Sequence, residues 1–436
     1  MKEVTLILTQ KQINRYHIIQ NSLDGKLTVT ETAKVLGISE RQVIRLRNGV
    51  REEGAAFLVH KNRGRIPIHA VTEEEKKEIV ELYCGEMYKG ANFKHYSELL
   101  SEHESIDRSR STVHRVLKDA KIESPKKRRR FKPHRSRKRK AQEGLLIQID
   151  ASPYEWFGGR VKYALHGGID DATGNFVGAY MSKNECLLGY YEVMRQIVVR
   201  DGIPVSTYSD RSAIFKSQEL GRLTVQEQLD GKVANDTQFG RAMKELGVTM
   251  IYARSAQAKG RIERLWETLQ SRLVIEFRIR NINNVHDANA FLLEYIPKFN
   301  TQFAVEPELA EKAYAPNTLD LDLILCVKEK RVADNGGVFS FNNKLWKIVT
   351  EGLPGNKVNI EVVASATKGL IVLYKGKELD VIPYVKPKKI EKQQEPKKRG
   401  GRFTESAIYK TVLYSTDLAD SEIRSMLEDI FLSKYA

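Results

Sequence analysis

LLIQID at residues 145–150, PVSTYSD at 204–210 and SAQAKGRIERLWETL at 255–269 decide the fold. The first two are short strand-like runs, and each ends on a carboxylate. The third opens a long helix from Ala258 to Arg280, with Ile262, Leu265, Leu269, Leu273 and Phe277 near helical spacing. Between the first two lies YALHGGIDDATGNFVGAYMS, residues 163–182, which reads as strand, turn at Asp171-Ala172-Thr173-Gly174, and strand. Glu185 to Arg200 reads as a helix, and LGVTMIYA at 246–253 as a further strand. Antiparallel strands followed by alternating helix and strand predict a mixed α/β layer.

The carboxylates are the chemical signal. Asp150 ends the first run, Asp210 ends the second, and Glu263 stands at the start of the long helix. If the two strands are neighbours, Asp150 and Asp210 project at one edge of the sheet, and a helix beside that edge brings Glu263 to them. Hard oxygen ligands without His or Cys favour Mg²⁺ or Mn²⁺. Two such ions stabilise the attacking and leaving oxygens of an in-line displacement at phosphorus. Asp150 is expected to bridge both ions, with Asp210 and Glu263 on one each. Asp170 and Asp171 compete for the role but read as turn formers, and Asp236 and Glu267 are weaker candidates. Lys259 and Arg261 are candidates to hold a phosphate beside the acids, with Gly260 permitting close approach. Arg211 is a candidate either for that task or for an ion pair. Trp156 and Trp266 read as core.

Upstream, TVTETAKVLGISERQVIRL at 28–46 has the pattern of a helix-turn-helix. Ala33 allows close helix approach, Gly37 makes the turn, Ser39 caps the second helix, and Ile38, Val43 and Leu46 fill the core. Arg41, Gln42, Arg45 and Arg47 are left for a DNA major groove. A second helical unit runs from Val71 to Ile122, opening on Thr72 and ending in SRSTVHRVLKDAKI, and is expected to bind DNA as well. SPKKRRRFKPHRSRKRK at 124–140 holds eleven Lys/Arg and no acid. Its Lys126, Lys127, Arg128, Arg129 and Arg130 are expected to lie along phosphates.

Downstream, Val285 to Phe303 reads as a helical connection. The region from Leu325 to Tyr384 alternates in VFSFNNKLWKIV and LIVLYKGKELDVI, with turns at Asn-Asn and Lys375-Gly376, and a small β-barrel is expected. Residues 385–402 are rich in Pro, Gly and Lys, and a helical tail follows. The expected domains are a helix-turn-helix domain at 1–62, a second helical unit at 63–123, a basic linker at 124–143, the catalytic core at 144–282, a connection at 283–324, the barrel at 325–385, and a basic linker with tail at 386–436.

Composition sets the frame. The chain has 436 residues, a formal net charge of +16 and 41% apolar residues, enough to bury cores. Cys84, Cys186 and Cys326 lie far apart, which argues against a disulfide framework or zinc knuckle. No apolar stretch suits a membrane span, and MKEVTLILTQ does not read as a secretory signal. The nine histidines show no zinc-binding spacing. A cytoplasmic, nucleoid-associated protein is expected. The charge is localised, because residues 124–140 carry +11 and residues 386–402 carry +6.

IDASPYEWF, the strand pair around DDATG, YSDRSAIF, TQFGRAMKELG and SAQAKGRIERLWETLQSRL resemble the integrase-type catalytic core of insertion-sequence transposases, the ISNCY family above all. The resemblance spans residues 28–385. It implies an RNase H-like core, Mg²⁺-dependent DNA cleavage and strand transfer, and a family triad that maps onto Asp150, Asp210 and Glu263. The stretch SQELGRLTVQEQLDGKVANDTQFG makes the interval between the second and third acids longer than the common integrase spacing. The partners implied are double-stranded DNA at the element ends and target, and further copies of the chain in a synaptic complex. A non-catalytic DNA-binding regulator and an RNase H-type nuclease are the alternatives.

Overall fold

The computed structural model describes residues 8–59, 70–126, 137–217, 236–253, 259–350, 357–385 and most of 423–434. It divides into two units, Met1–Glu78 and Ile79–Ala436.

The first unit is built on α1 (Gln10–Leu23), α2 (Val29–Leu36) and α3 (Glu40–Glu53), followed by a 3₁₀ turn at Gly54–Leu58. Thr28 and Glu31 cap α2 reciprocally, and Ser39 accepts the amide of Gln42 to start α3. Between them Gly37 takes φ 64°, the left-handed conformation that glycine adopts without strain. Ile19, Ala33, Val43 and Val50 form the core.

The second unit begins within α4 (Glu73–Cys84), whose Ile79 and Tyr83 pack with α5 (Phe93–His103) and α6 (Arg110–Asp119). Next comes a five-stranded sheet of β1 (Ile147–Tyr154), β2 (Tyr163–Asp170), β3 (Phe176–Ser182), β4 (Ser206–Ser209) and β5 (Thr249–Tyr252), in the order β3-β2-β1-β4-β5. The first three strands pair antiparallel, while β1, β4 and β5 pair parallel. Helix α7 (Leu187–Arg200) and α8 (Gln238–Glu245) share an apolar cluster with Ile147, Ile149 and Val177 of the sheet. Helix α9 (Gly260–Ile279) and α10 (Val285–Phe303) share another with Leu165, Ile169 and Ala179. The sheet is thus covered on both faces. Ile275 of α9 joins the core of α4 to α6.

The expected small β-barrel is corrected. After the short α11 (Leu321–Ile324) come β6 (Val327–Ala333), β7 (Val338–Phe341), β8 (Lys344–Ile348), β9 (Val358–Ser365), β10 (Gly369–Tyr374), β11 (Lys377–Leu379) and β12 (Val381–Pro383). They form two open sheets, β11-β10-β9-β6 and β12-β8-β7, with no closed sheet among the described residues. The physical cause lies at Asp380. β11 ends before it, and β12 starts after it in the other sheet, pairing with β8. Pro383, the last residue of β12, has no amide to extend the ladder. The tight turns do form, with Asn342, Asn343, Lys375 and Gly376 all at positive φ.

Candidate active site

Strand β1 presents Ile147 and Ile149 to the cluster shared with α7, so Gln148, Asp150 and Ser152 face the other way, toward α9. Each meets that helix. Gln148 Oε1 accepts the amide of Ile262, Asp150 Oδ2 accepts the indole N–H of Trp266 at 3.3 Å, and Ser152 Oγ accepts from Gln270 Nε2 at 3.0 Å. β1 continues to Tyr154, so Asp150 lies within the strand, not at its end as LLIQID suggested.

Asp210 follows the last residue of β4. Gln148 pairs with Tyr208 in the parallel register, and continuing that register by two residues sets Asp150 level with Asp210. One cation joins the two. Lys259 Nζ lies 2.7 Å from Asp150 Oδ1 and 3.7 Å from Asp210 Oδ2, with its side chain only 10% exposed. Asp210 also accepts the amide of Ser212, which holds the loop after the strand.

Glu263 sits on the first turn of α9 and its side chain is exposed. It lies four residues after Lys259 and three before Trp266, both of which reach Asp150, so all three share one helix face. Its carboxylate is not drawn in. Among the described residues, no group of three or more His, Cys, Asp or Glu is close enough to hold a metal ion.

Arg261 points elsewhere. Its Nε donates to Asp171 Oδ1 at 2.7 Å and its Nη2 to the carbonyl of Arg137. Asp171 is fully buried and also takes Arg137, Gln148 Nε2 and the amide of Lys140. Arg139 bonds the carbonyls of Asp171 and Ala172. The last residues of the basic run are therefore pinned to the core. Asp170 forms the turn, accepting the amides of Ala172, Thr173 and Gly144. Burial pushes its carboxyl up, against those donors. Trp156 and Trp266 are buried as expected.

Of the residues expected to meet DNA, Arg41, Gln42 and Arg45 are exposed on α3 and Arg47 is half-buried. Lys126 is exposed and pairs loosely with Glu267 at 3.6 Å. Lys127, Arg128, Arg129 and Arg130 lie outside the described residues.

Glu185, two residues before α7, carries no sequence signal. It is half-buried and accepts the hydroxyl of Tyr190 at 2.6 Å. Burial raises its carboxyl from the ordinary range, and the charges of Asp150 and Asp210 push the same way against Lys259.

Known proteins resemble this chain in sequence. The winged helix-turn-helix family matches residues 15–77. The transposase for insertion sequence IS1202 of Streptococcus pneumoniae is 36% identical over 376 residues, covering 78% of this chain and 79% of that one. The relative y4bF of Sinorhizobium fredii, whose name also marks it as a transposase, is 33% identical over 383 residues, covering 86% of this chain and 81% of its own. The chain belongs to the insertion-sequence transposases. A solved simian T-cell lymphotropic virus intasome, in complex with a PP2A regulatory subunit, aligns with 71% of the chain and 95% of its own at 14% identity and a TM-score of 0.31. No helix among the described residues is long and apolar enough to cross a membrane.

Proposed function

We propose that this chain is a DDE transposase of the ISNCY type, with an RNase H-like core, that cuts DNA at the ends of an insertion sequence and joins the freed 3′ ends to a target. One observation carries this: the β1/β4 register sets Asp150 and Asp210 side by side under a single ammonium, at the mouth of the helix that bears Glu263. The strand order β3-β2-β1-β4-β5 supports the RNase H-like core.

The donors suit hard divalent cations. All three candidate ligands are carboxylates, and a positive charge, that of Lys259, already sits between two of them. Asp150, Asp210 and Glu263 would hold Mg²⁺ or Mn²⁺, two ions per site, which supply charge stabilisation at the phosphorus and an activated nucleophile. The protein's own part is placement. Trp266 fixes one oxygen of Asp150, the Ser212 amide fixes Asp210, and α9 carries Glu263 on the same face as Lys259. Lys259 holds a phosphate oxygen once released from the acids. Arg41, Gln42, Arg45 and Arg47 read the terminal repeats, and two ends handled together call for several copies of the chain.

The exposed carboxylate of Glu263, apart from the acid pair, favours a second reading, a DNA-binding regulator without catalysis. One experiment separates the two. Wild type and Asp150→Asn are incubated with Mg²⁺ and DNA carrying the element ends. Cleavage and joining by wild type alone supports the transposase. Specific binding by both without any cutting supports the regulator.

A further inference from the structure

A cleft of about 960 Å³ opens between α9 and the α5–α6 pair. Its α9 wall carries Glu267 and Ser271, four and eight residues beyond Glu263. At 1.5 Å rise per residue these lie about 6 and 12 Å along the helix from that acid. The opposite wall presents Lys94 from the start of α5, and Arg110 and His114 one turn apart on α6, while Lys126 closes one end. Arg110 and His114 are exposed and form no ion pair among the described residues. Lys126 meets Glu267 only at 3.6 Å with both exposed, so that pair yields readily to a stronger anion. Lys94 also pairs loosely with Glu98 at 3.9 Å and lies over the ring of Phe303, so Arg110 and Lys126, with the imidazole of His114, supply the positive face opposite Glu267.

We propose that this cleft is the track for the phosphate backbone of the DNA strand that enters the acid site. The assignment rests on the transposase function proposed above and adds to it a surface within the second unit. The cleft is partly open to solvent and carries Lys94, Arg110, His114 and Lys126 on its walls, which suits a passing polyanion better than an enclosed small molecule. Its course along α9 selects DNA over an acidic protein segment, because the same helix leads to Glu263.

The test is site-directed cross-linking on the full chain. Cys84 is exposed while Cys186 and Cys326 are buried, so Cys84→Ser gives a background in which Ser271→Cys is the only accessible thiol among the described cysteines. Duplexes carrying the element end bear an activated disulfide tether on one phosphate, moved stepwise along the strand. The expected result is cross-linking concentrated at one or two phosphates near the cleavage point, at least tenfold above positions well inside the element. Uniform or absent cross-linking overturns the proposal, as does a protein–protein cross-link that DNA fails to compete away. A second measurement uses Arg110→Glu/Lys94→Glu, both surface changes, with thermal melting as the folding control. DNA affinity is expected to fall about tenfold or more at low salt, and the slope of log affinity against log salt to shrink by about one to two. An unchanged slope overturns it. If the cross-link forms but wild type never cuts DNA, the transposase function fails and the track stands as a binding surface. If wild type cuts DNA and the cross-link is absent, the track alone fails.

Discussion

The ammonium of Lys259 stands between two carboxylates that would otherwise repel each other across neighbouring strands. Removing it leaves Asp150, whose side chain is only 19% exposed, without a counter-charge. Lys259→Met is therefore expected to lower stability in EDTA by about 1–2 kcal/mol, less than a fully buried pair because Asp210 is open to water. Mg²⁺ would then raise the melting temperature more in the variant than in wild type, read by differential scanning fluorimetry. An equal response in both would remove Lys259 from the ion's position.

His166, on the neighbouring strand β2, makes a second prediction. The amide of Cys186 donates to its Nε2 at 3.0 Å, so Nδ1 carries the proton and faces the Tyr180 carbonyl at 3.1 Å. Burial lowers its pKa from 6.5 to about 4. The unfolded chain therefore binds the extra proton first, and stability falls as pH drops from about 6.5 toward 4. The loss approaches roughly 3 kcal/mol. Urea midpoints measured across that range should show a shallower pH slope in His166→Gln than in wild type. Asp150 and Asp210 stand out in the sequence against the strands that carry them, and the fold brings them together, whereas Glu263 stays exposed and apart from the pair. Lys259 is legible too, as a cation at the start of the long helix, whereas Glu185 gains its setting only from tertiary placement, since no spacing links β1, β4 and the start of α7.

At the scale of elements, β1 and α9 run in step. Gln148, Asp150 and Ser152 meet Ile262, Trp266 and Gln270, two residues of strand for four of helix. Two strand residues advance about 6.6 Å and four helix residues about 6 Å, so the two periods match. The helical periodicity of residues 258–280 is readable, but its register against β1 is not, because it depends on a glycine of the next strand. Gly167 pairs with Asp150, and a methyl group there would meet the Trp266 ring at 2.7 Å and Phe176 at 3.0 Å. Gly167→Ala should cost about 1–3 kcal/mol and lower DNA cleavage by moving the indole off Asp150. Comparison with Gly158→Ala, where nothing stands within 4 Å but φ is 74°, controls for simple loss of a glycine. Equal cleavage by both variants would show that the bond from Trp266 to Asp150 is dispensable. The two open C-terminal sheets mark the limit of strand reading. Alternation and the Asn-Asn and Lys-Gly turns are visible in the sequence, whereas the change of sheet at Asp380 is decided by which ladder each three-residue strand joins.

For the whole molecule, the excess charge divides into parts with different tasks. Residues 124–140 read as one basic run, yet Arg137 and Arg139 are engaged with buried Asp171 and its neighbouring carbonyls, and Arg261 completes that network. Those arginines hold the N-terminal edge of the core against α9, so their loss should act on stability. Arg139→Ala is expected to lower the melting temperature and leave the salt slope of DNA binding unchanged. Replacing Lys127, Arg128, Arg129 and Arg130 together with glutamine should do the reverse. Affinity would fall on every DNA sequence alike, and the slope of log affinity against log salt would shrink by up to about four, one for each phosphate no longer neutralised. Fluorescence anisotropy on specific and scrambled duplexes across a salt series measures both quantities. A fourfold glutamine variant with an unaltered slope would show that the phosphates are met by the helix-turn-helix and the α9 cleft instead, and that the run serves only to join the units.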